Sequence, residues 1–313
     1  MSFHIERYRP GLLADWNAFV AASRNDTFLL DRGYMDYHAQ RFTDHSLLLR
    51  NDAGQIAALL PANEHAGALH SHAGLTYGGL VLDARAGAAA VLAMFDALRA
   101  YLRATNFLAL HYKTIPSIYH RQPAQDDRYA LFRAGARLTR RDVLSVVARE
   151  HRLGYQQRRA RGIKSAHKAG VTVVESTNYA AFWAVLSDNL AARHSVQPVH
   201  DLDEIQRLQA RFPDAIRLFT AQHDGEVVAG AVIYESAMVA HVQYISASDV
   251  GRQLHALDAV FDHLLGGVFA AKPYFDFGIS NEADGQVLNV GLVEQKEGFG
   301  ARSMVHDHYE LTP

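Results

Sequence analysis

The sequence predicts an α/β protein built from two similar domains in tandem. Its 313 residues are about twice the length of an ordinary domain. The order of predicted helices and strands in the first half recurs in the second. Two pairs of similar strings, LFRAGARL with EGFGARSM and DAGQIAALL with DGEVVAGAVI, are separated by a nearly constant offset of roughly 170 residues. Together these observations favour a duplicated domain, with residues 1–150 and 151–313 as the two copies.

The first half opens with two helical patterns, followed by two apolar runs around the turn 51–54, which is typical of a β-hairpin. Residues Val91, Phe95, Leu98 and Leu102 recur at helical spacing and predict a long amphipathic helix. In chain order, we predict helices at 12–22 and 33–42, strands at 46–50, 55–62, 67–72 and 77–82, a helix at 84–105, a strand at 107–111, a short helix at 129–133 and a strand at 137–147.

The second half repeats this order, with a hairpin around the turn 223–225 and a buried run at 274–280. In chain order, we predict helices at 178–193 and 202–211, strands at 216–222, 227–235 and 238–246, a helix at 252–269, a strand at 274–280, a helix at 287–297 and a strand at 302–311.

Composition and charge exclude several classes of protein. The chain is 49% apolar and 20% charged, as ordinary globular proteins are, and its formal charge of -2 argues against a surface built mainly to bind nucleic acid. It has no cysteine, hence no disulfide and no thiolate nucleophile. No stretch approaches the ~20 apolar residues that span a bilayer, so we expect a cytoplasmic protein without a membrane partner.

The histidine pairs His70/His72 and His306/His308 stand at alternate positions, where two strand side chains share a face. Neither pair has an obvious third carboxylate ligand at short spacing, so we expect no metal. The sequence also lacks GxxxxGK, GxSxG, HExxH and GxGxxG. These absences argue against a nucleoside triphosphatase, an esterase, a zinc protease and a dinucleotide-dependent oxidoreductase.

The stretches HVQYISASDVGRQLHALDAV (241–260) and YFDFGISNEADGQVLNVGLVEQKEGFG (274–300) resemble the core of the GNAT acetyltransferase superfamily. With SHAGLTYGGLVL (71–82), YKTIPSIYHRQPAQDDRYALFRAGA (112–136) and QRRARGIKSAHKAGVTV (157–173), the chain resembles the tandem-GNAT branch. This branch includes the Fem aminoacyltransferases and polysaccharide-biosynthesis N-acyltransferases. The resemblance implies two GNAT-like domains, each a mixed, mostly antiparallel sheet flanked by helices. It also implies acyl-CoA, with an acetyl or longer acyl group, as co-substrate.

In this family two neighbouring strands separate to hold pantetheine, and a turn at a helix N-terminus receives the pyrophosphate. Residues 238–246 and 274–280 would be those strands here. Of the family's turn pattern only Gly251 is present, and Asp249 adds a negative charge. The residues expected to contact acyl-CoA are Ile245, Ser246, Ala247, Ser248, Gly251, Arg252 and Gln253, and backbone N–H groups of 245–247 would face the oxyanion.

His241 is the first candidate for the general base, because an imidazole with a pKa near ~6.5 can take a proton from an ammonium group. Asp276 could orient His241 or act as the base itself. A strictly alternating strand would place His241, Gln243 and Ile245 on one face and Val242, Tyr244 and Ser246 on the other. The family's tyrosine acid is replaced by Glu294, and Tyr244 is a weak substitute. Each of these side chains could instead be structural.

Before its long helix the first domain has no glycine-bearing turn like that of the second, apart from Gly87. We therefore expect that the first domain does not bind acyl-CoA and instead helps to form an acceptor pocket at the domain junction. The side chains expected to contact the acceptor are His72, Tyr77, Tyr112, Lys113, His120, His200 and Gln243.

Three functions remain open. The first is an N-acyltransferase that moves an acyl group from acyl-CoA to a small amine, for which the resemblance implies a nucleotide-linked amino sugar in surface-polysaccharide biosynthesis. The second is a Fem-like aminoacyltransferase that uses aminoacyl-tRNA to modify a peptidoglycan precursor. The third is a catalytically silent ligand-binding protein. The basic segment 149–168 is either a solvated connecting helix or a contact to phosphates, and under the second function it would contact tRNA.

Overall fold

The computed structural model describes residues 2–194 and 197–313, and the chain divides into two compact units. The first unit contains Met1–Asp142 and Val305–Pro313, and the second contains Val143–Met304. The sequence suggests a single boundary at 150/151, whereas the chain here changes unit inside two strands. Unit membership follows strand pairing: residues 144–148 pair with strand 274–279 of the second unit, while residues 308–311 pair with strand 110–113 of the first.

The elements of the first unit alternate short strands with helices. They are β1 (Phe3–Arg7), α1 (Leu13–Ala22), α2 (Arg32–Met35), β2 (Thr43–Asp44), β3 (Leu47–Asn51), β4 (Ile56–Leu60), β5 (Asn63–His65), β6 (Ala68–His70), β7 (Val81–Leu82), α3 (Ala88–Ala104), β8 (Leu110–Lys113), α4 (Asp126–Arg133) and the first residues of β9 (Arg137–Ala148).

The second unit begins within β9 and ends within the last strand. Its elements are α5 (Gln157–Lys168), β10 (Thr172–Ser176), α6 (Tyr179–His194), α7 (Leu202–Arg211), β11 (Ile216–His223), β12 (Glu226–Glu235), β13 (Val239–Ala247), α8 (Asp249–Gln253), α9 (Ala256–His263), β14 (Tyr274–Ile279), β15 (Asn281–Glu282), β16 (Val287–Leu288), α10 (Val290–Glu297) and the start of β17 (Arg302–Leu311).

Both units contain mixed, mostly antiparallel sheets, as expected for tandem GNAT-like domains. In the first unit the strands run in the orders β1-β3-β4-β7 and β9-β17-β8-β6-β5-β2, and β6 and β8 pair in parallel. In the second unit the order is β10-β11-β12-β13-β14-β9, with β13 and β14 as the parallel pair. Parallel strands need a crossover connection. Between β6 and β8 this connection contains β7 and α3, and between β13 and β14 it contains α8 and α9.

Each unit has its own apolar core. In the first, the buried face of α3 with Val91, Phe95, Leu98 and Leu102 packs against sheet residues, as the helical spacing predicts. In the second, α9 packs its apolar face on the small side chains of β12, including Ala229 and Ala231. Small residues there allow the helix to approach the sheet closely.

Several predicted elements differ in extent. The helix predicted at 252–269 is interrupted at His255, whose left-handed backbone conformation, with φ 57°, separates α8 from α9. A π-helical turn, Leu264–Val268, follows α9 directly. Residues 33–42 form only the short α2 and a 3-10 turn, Asp36–His38. The sequence does not predict strands β1 and β10. Neither contains a buried residue, and apolar and polar residues alternate only weakly in β10. Within the described residues, no helix has the length and apolarity to cross a bilayer.

Candidate active site in the second unit

Strands β13 and β14 pair only at their beginnings. Val239, Ala240 and His241 pair with Tyr274, Phe275 and Asp276, and within the described residues the parallel pairing stops there. Gly278, with φ 74°, adds an irregularity to β14 two residues later. The two strands therefore separate beyond the His241–Asp276 pair, as the sequence predicts for residues 238–246 and 274–280.

Strand β13 carries a β-bulge at Gln243. Val232 of β12 lies opposite Tyr244, but the next residue, Ile233, lies opposite Val242, which leaves Gln243 as the extra residue. A bulge reverses the alternation beyond it. His241, Tyr244 and Ser246 therefore share one face, while Val242, Ile245 and Ala247 share the other. The faces predicted from strict alternation are wrong for this reason.

A cavity of about 610 Å³ opens in the second unit beside the separated strands. This volume is within the usual range for small-molecule sites. Strands β13 and β14 contribute to its wall together with residues of α5, α8, α9 and α10. Five of the seven residues predicted to contact the co-substrate line it, namely Ile245, Ser246, Ala247, Gly251 and Arg252. Their contact with acyl-CoA stays a prediction.

The turn after β13 is fixed by local hydrogen bonds. Ser248 caps α8, since its Oγ accepts the N–H of Gly251 at 3.1 Å and donates to the Val228 carbonyl at 3.1 Å. A Cβ on Gly251 would lie 2.1 Å from that same carbonyl oxygen, so the turn can pack on β12 only with glycine there. Arg252 forms an ion pair with Asp249. The unfavourable charge that Asp249 would present to a phosphate is thereby compensated.

Basic side chains of α5 reach the same cavity. Arg158, which is exposed, and Arg159 line it, and so do Arg252 and His255. Cationic groups at several points of a cavity suit a ligand with more than one phosphate. The basic segment 149–168 is thus partly a cavity wall, while its residues Lys164 and Lys168 are exposed.

Arg159 is held in place by a buried carboxylate. Its Nη1 donates to Asp258 Oδ1 of α9 at 2.6 Å, and its guanidinium lies 5.3 Å from the ring centroid of Phe299. Gly162 of α5 makes room for this pair, because a Cβ there would lie 1.9 Å from Asp258 Oδ2. Sequence reasoning missed the pair, since Arg159 and Asp258 are 99 residues apart.

His241 and Asp276 form the hydrogen-bonded pair that the sequence suggests. His241 Nδ1 lies 2.9 Å from Asp276 Oδ2, and the N–H of Gly278 donates to Asp276 Oδ1 at 2.8 Å. Burial alone would raise the pKa of Asp276, but the charge of His241 and these hydrogen bonds lower it below its usual value. We assign a hydrogen to Nδ1 because an ionised carboxylate accepts there. In the neutral ring, Nε2 then carries the lone pair.

Lys296 of α10 is a buried cation that sequence reasoning missed. Lys296 lines the cavity, and its Nζ donates to the carbonyls of Gly278 and Ile279 and to Ser280 Oγ, at 3.1, 2.7 and 2.9 Å. Burial lowers its pKa to about 8, although the charge of Asp276 opposes this shift. Lys296 thus ties α10 to the end of β14. In the sequence, Lys296 stands next to Glu297 in a predicted helix, a pattern typical of solvent-exposed residues.

Tyr244 and His200 are also brought together. The Tyr244 hydroxyl hydrogen-bonds to His200 Nδ1 and accepts the His200 backbone N–H at 3.2 Å, and its ring meets Trp183 edge-on at 5.2 Å. This cluster lies on the same face of the sheet as His241. Glu294, in the position of the family's tyrosine acid, is exposed on α10.

The residues predicted for the acceptor pocket in the first domain lie largely inside the first unit. His72, Tyr77, Tyr112 and His120 are buried, and Lys113 is half-buried. The Tyr112 hydroxyl donates to Asp127 Oδ2 at 2.8 Å and accepts the N–H of Leu80 at 2.7 Å. Their contact with an acceptor stays a prediction, and its two hydrogen bonds give Tyr112 a structural role within the unit.

The partner of Tyr112 predicts a pH effect on stability. Burial raises the pKa of Asp127 to about 6. Between pH ~4 and ~6 the folded state keeps a proton that the unfolded state has lost, so the free energy of unfolding falls as the pH rises, by up to roughly 3 kcal/mol. Asp127→Asn should lack this contribution, so its free energy of unfolding should fall less between pH ~4 and ~6 than that of the wild type. Urea unfolding followed by Trp16 fluorescence in a Trp183→Phe background measures it, and parallel curves for the two proteins would contradict the prediction.

Residues 149–284 match the family model described as Acetyltransferase (GNAT) domain. No curated protein sequence matches the chain.

Three solved structures are similar over nearly the whole chain. One is FemX, with a TM-score of 0.69 and 11% identity, covering 99% of this chain and 97% of that one. Another is the C-terminal domain of a putative lysylphosphatidylglycerol synthetase from Agrobacterium fabrum, with a TM-score of 0.61 and 14% identity, covering 96% and 92%. The third is a tandem GNAT protein from the clavulanic acid biosynthesis pathway, with a TM-score of 0.50 and 11% identity, covering 99% and 98%. At these identities the similarity establishes the fold.

Proposed function

Because residues 149–284 match the family model of the GNAT acetyltransferase domain, we propose that the protein is an N-acyltransferase that transfers an acyl group from acyl-CoA to the amine of a small acceptor. The observation that carries the proposal is the separation of β13 and β14 beyond His241 and Asp276, beside a cavity of about 610 Å³. A nucleotide-linked amino sugar remains our expected class of acceptor.

The residues at the cavity fit a coenzyme A molecule. The open edge of β13 around Ile245 would hold the pantetheine arm, because a strand edge offers amide hydrogen-bonding groups to an amide ligand. Arg158 supplies positive charge for its phosphates, and Arg252 and His255 offer further hydrogen-bond donors. When bound, the acyl-CoA would supply a thioester carbonyl as electrophile and a thiolate as leaving group.

The chemistry assigned to this chain is proton removal from the acceptor. His241 Nε2 takes a proton from the acceptor's ammonium group, while Asp276 holds the ring through Nδ1 and stabilises the imidazolium that forms. The bulge at Gln243 turns Ile245 toward the cavity and leaves His241 on the opposite face. The two faces of β13 would thereby serve the acyl donor and the acceptor separately.

Thermal unfolding and thiol release together test this proposal. We expect acetyl-CoA or a longer acyl-CoA to raise the melting temperature, by mass action on the native state, and acyl-pantetheine without the diphosphate to raise it less. Thiol release from a panel of acyl-CoAs crossed with amino sugars then identifies the acyl group and the acceptor. A protein that no acyl-CoA stabilises would refute the proposal. Acyl-CoA binding without thiol release for any amine would favour a catalytically silent binding protein.

One observation favours the Fem-like alternative. Helix α5 presents Arg158, Arg161, Lys164 and Lys168 at its exposed surface, which suits contact with a nucleic-acid backbone. Under that alternative, aminoacyl-tRNA would replace acyl-CoA as the donor. Strongly salt-dependent binding of tRNA, together with no response to any acyl-CoA, would support it.

A further inference from the structure

Three side chains that could hold a metal ion meet in the first unit. His306 and His308 of β17 and Asp142 of β9 each offer a ligand atom, and these three atoms lie within 4.8 Å of one another. Among residues 2–194 and 197–313 this is the one group of three or more such side chains that meets that distance. The carboxylate missing from the sequence pattern therefore comes from a neighbouring strand, 166 residues before His308.

The local geometry suits ligation with little movement. His308 Nε2 lies 3.1 Å from Asp142 Oδ2, and the rings of His306 and His308 have centroids 4.7 Å apart. Ligand atoms around a tetrahedral zinc ion lie about 3.3 Å apart, given bonds of about 2.0–2.1 Å. Asp142 and His306 are also buried, at 2% and 3% exposure, so their orientation is set by packing.

His306 already has the supporting contact that is typical of a metal ligand. Its Nε2 lies 2.8 Å from the carbonyl oxygen of Thr114, to which it donates a hydrogen. In the neutral ring this leaves the lone pair on Nδ1. Histidine ligands in proteins usually donate their second ring N–H to a carbonyl or carboxylate in this way, which fixes the tautomer and the ring orientation.

We propose that Asp142, His306 and His308 form a binding site for a divalent transition metal, with Zn²⁺ as the expected ion. Two imidazoles and one carboxylate are ligands that zinc accepts, and a water molecule would complete four-coordination. The ion would take the place of the His308–Asp142 hydrogen bond, with the His308 hydrogen moving to Nδ1. It would join β9 to β17 within the first unit, and it does not depend on the proposed acyl transfer.

Arg140 competes with the metal for Asp142. Its Nε lies 2.9 and 3.0 Å from the two carboxylate oxygens of Asp142, and its side chain is one-third exposed. For a metal to bind, the Arg140 side chain must move toward solvent so that at least one of these oxygens is released. Replacing Arg140 with glutamine should therefore tighten metal binding, since the carboxylate loses its competing cation.

Titration calorimetry of the full-length, chelator-treated chain with Zn²⁺ alone tests the site. We expect one ion per chain, and at least ~100-fold weaker binding for Asp142→Asn and for His308→Ala, which both remove a ligand. Arg140→Gln should bind more tightly than the wild type. Circular dichroism before the titration verifies that each variant is folded, and the absorption spectrum of the Co²⁺-loaded wild type reports the coordination number.

His111→Ala is the matched control, because it removes another strand histidine of the same unit, one that stacks on His70 at 4.7 Å. This variant should bind Zn²⁺ as the wild type does. Loss of binding in His111→Ala with retention in folded His308→Ala or Asp142→Asn would overturn the proposal. A wild-type chain whose dissociation constant for Zn²⁺ is millimolar or higher would overturn it as well.

Discussion

Replacing His241 with alanine is expected to slow thiol release from acyl-CoA about 100-fold or more, with acyl-CoA binding unchanged. The variant removes the group proposed to take the acceptor's proton, whereas the cavity residues that would hold the donor remain. Thiol release at saturating acceptor amine measures the rate, and the rise in melting temperature with acyl-CoA measures binding. A rate near that of the wild type would remove His241 from the reaction.

Two further variants separate catalysis from structure. His223→Ala, at the hairpin between β11 and β12, changes another histidine of the same unit and should leave the rate within about twofold of the wild type. Asp276→Asn keeps the size of the residue that orients His241 but removes its charge. It should lower the rate less than His241→Ala does and change the pH profile of the rate, because the imidazolium loses its buried partner.

Replacing Gly162 with alanine is expected to destabilise the second unit by about 1–3 kcal/mol, even though alanine favours the helix more than glycine does. The new Cβ would lie 1.9 Å from Asp258 Oδ2, so the carboxylate that binds Arg159 must shift or α5 must move away from α9. The chain contains two tryptophans, one in each unit. Urea unfolding followed by the fluorescence of Trp183 in a Trp16→Phe background therefore reports on the second unit.

Gly154→Ala in the same background is the control. Gly154 lies in the loop before α5, and a Cβ there would meet nothing within 4 Å, so the substitution should change stability by less than ~1 kcal/mol. Equal stabilities for Gly162→Ala and Gly154→Ala would show that the contact between α5 and α9 can relax without cost. Because Arg159 also lines the cavity, Gly162→Ala should weaken acyl-CoA binding too.

Apolar spacing and turn residues in the sequence were sufficient to predict most helices and strands and their order along the chain. Helix α3 follows from apolar spacing, and the hairpins β3–β4 and β11–β12 follow from glycine-bearing turns between apolar runs. The separation of β13 and β14 also agrees with expectation, because the residues that resemble the GNAT core lie in two continuous stretches. Such features depend on neighbours a few residues apart, which a sequence displays directly.

The features that sequence reasoning missed depend on a partner far along the chain or on an irregular backbone. The bulge at Gln243 reverses the faces of β13, although Gln243 itself carries no turn signal. The left-handed His255 divides a helix whose apolar spacing is continuous. Lys296 became recognisable as part of the cavity wall only through its bonds to the end of β14.

By itself the sequence determined the tandem arrangement, most of the helices and strands in their order, and the two strands that separate in the second unit. The tertiary structure decided which side chains meet there: His241 with Asp276, Arg159 with Asp258, and Asp142 with His306 and His308. The physical reason is that periodicity and turn chemistry act over a few residues, whereas hydrogen bonds, ion pairs and metal ligation depend on distances in space that strand register and packing set.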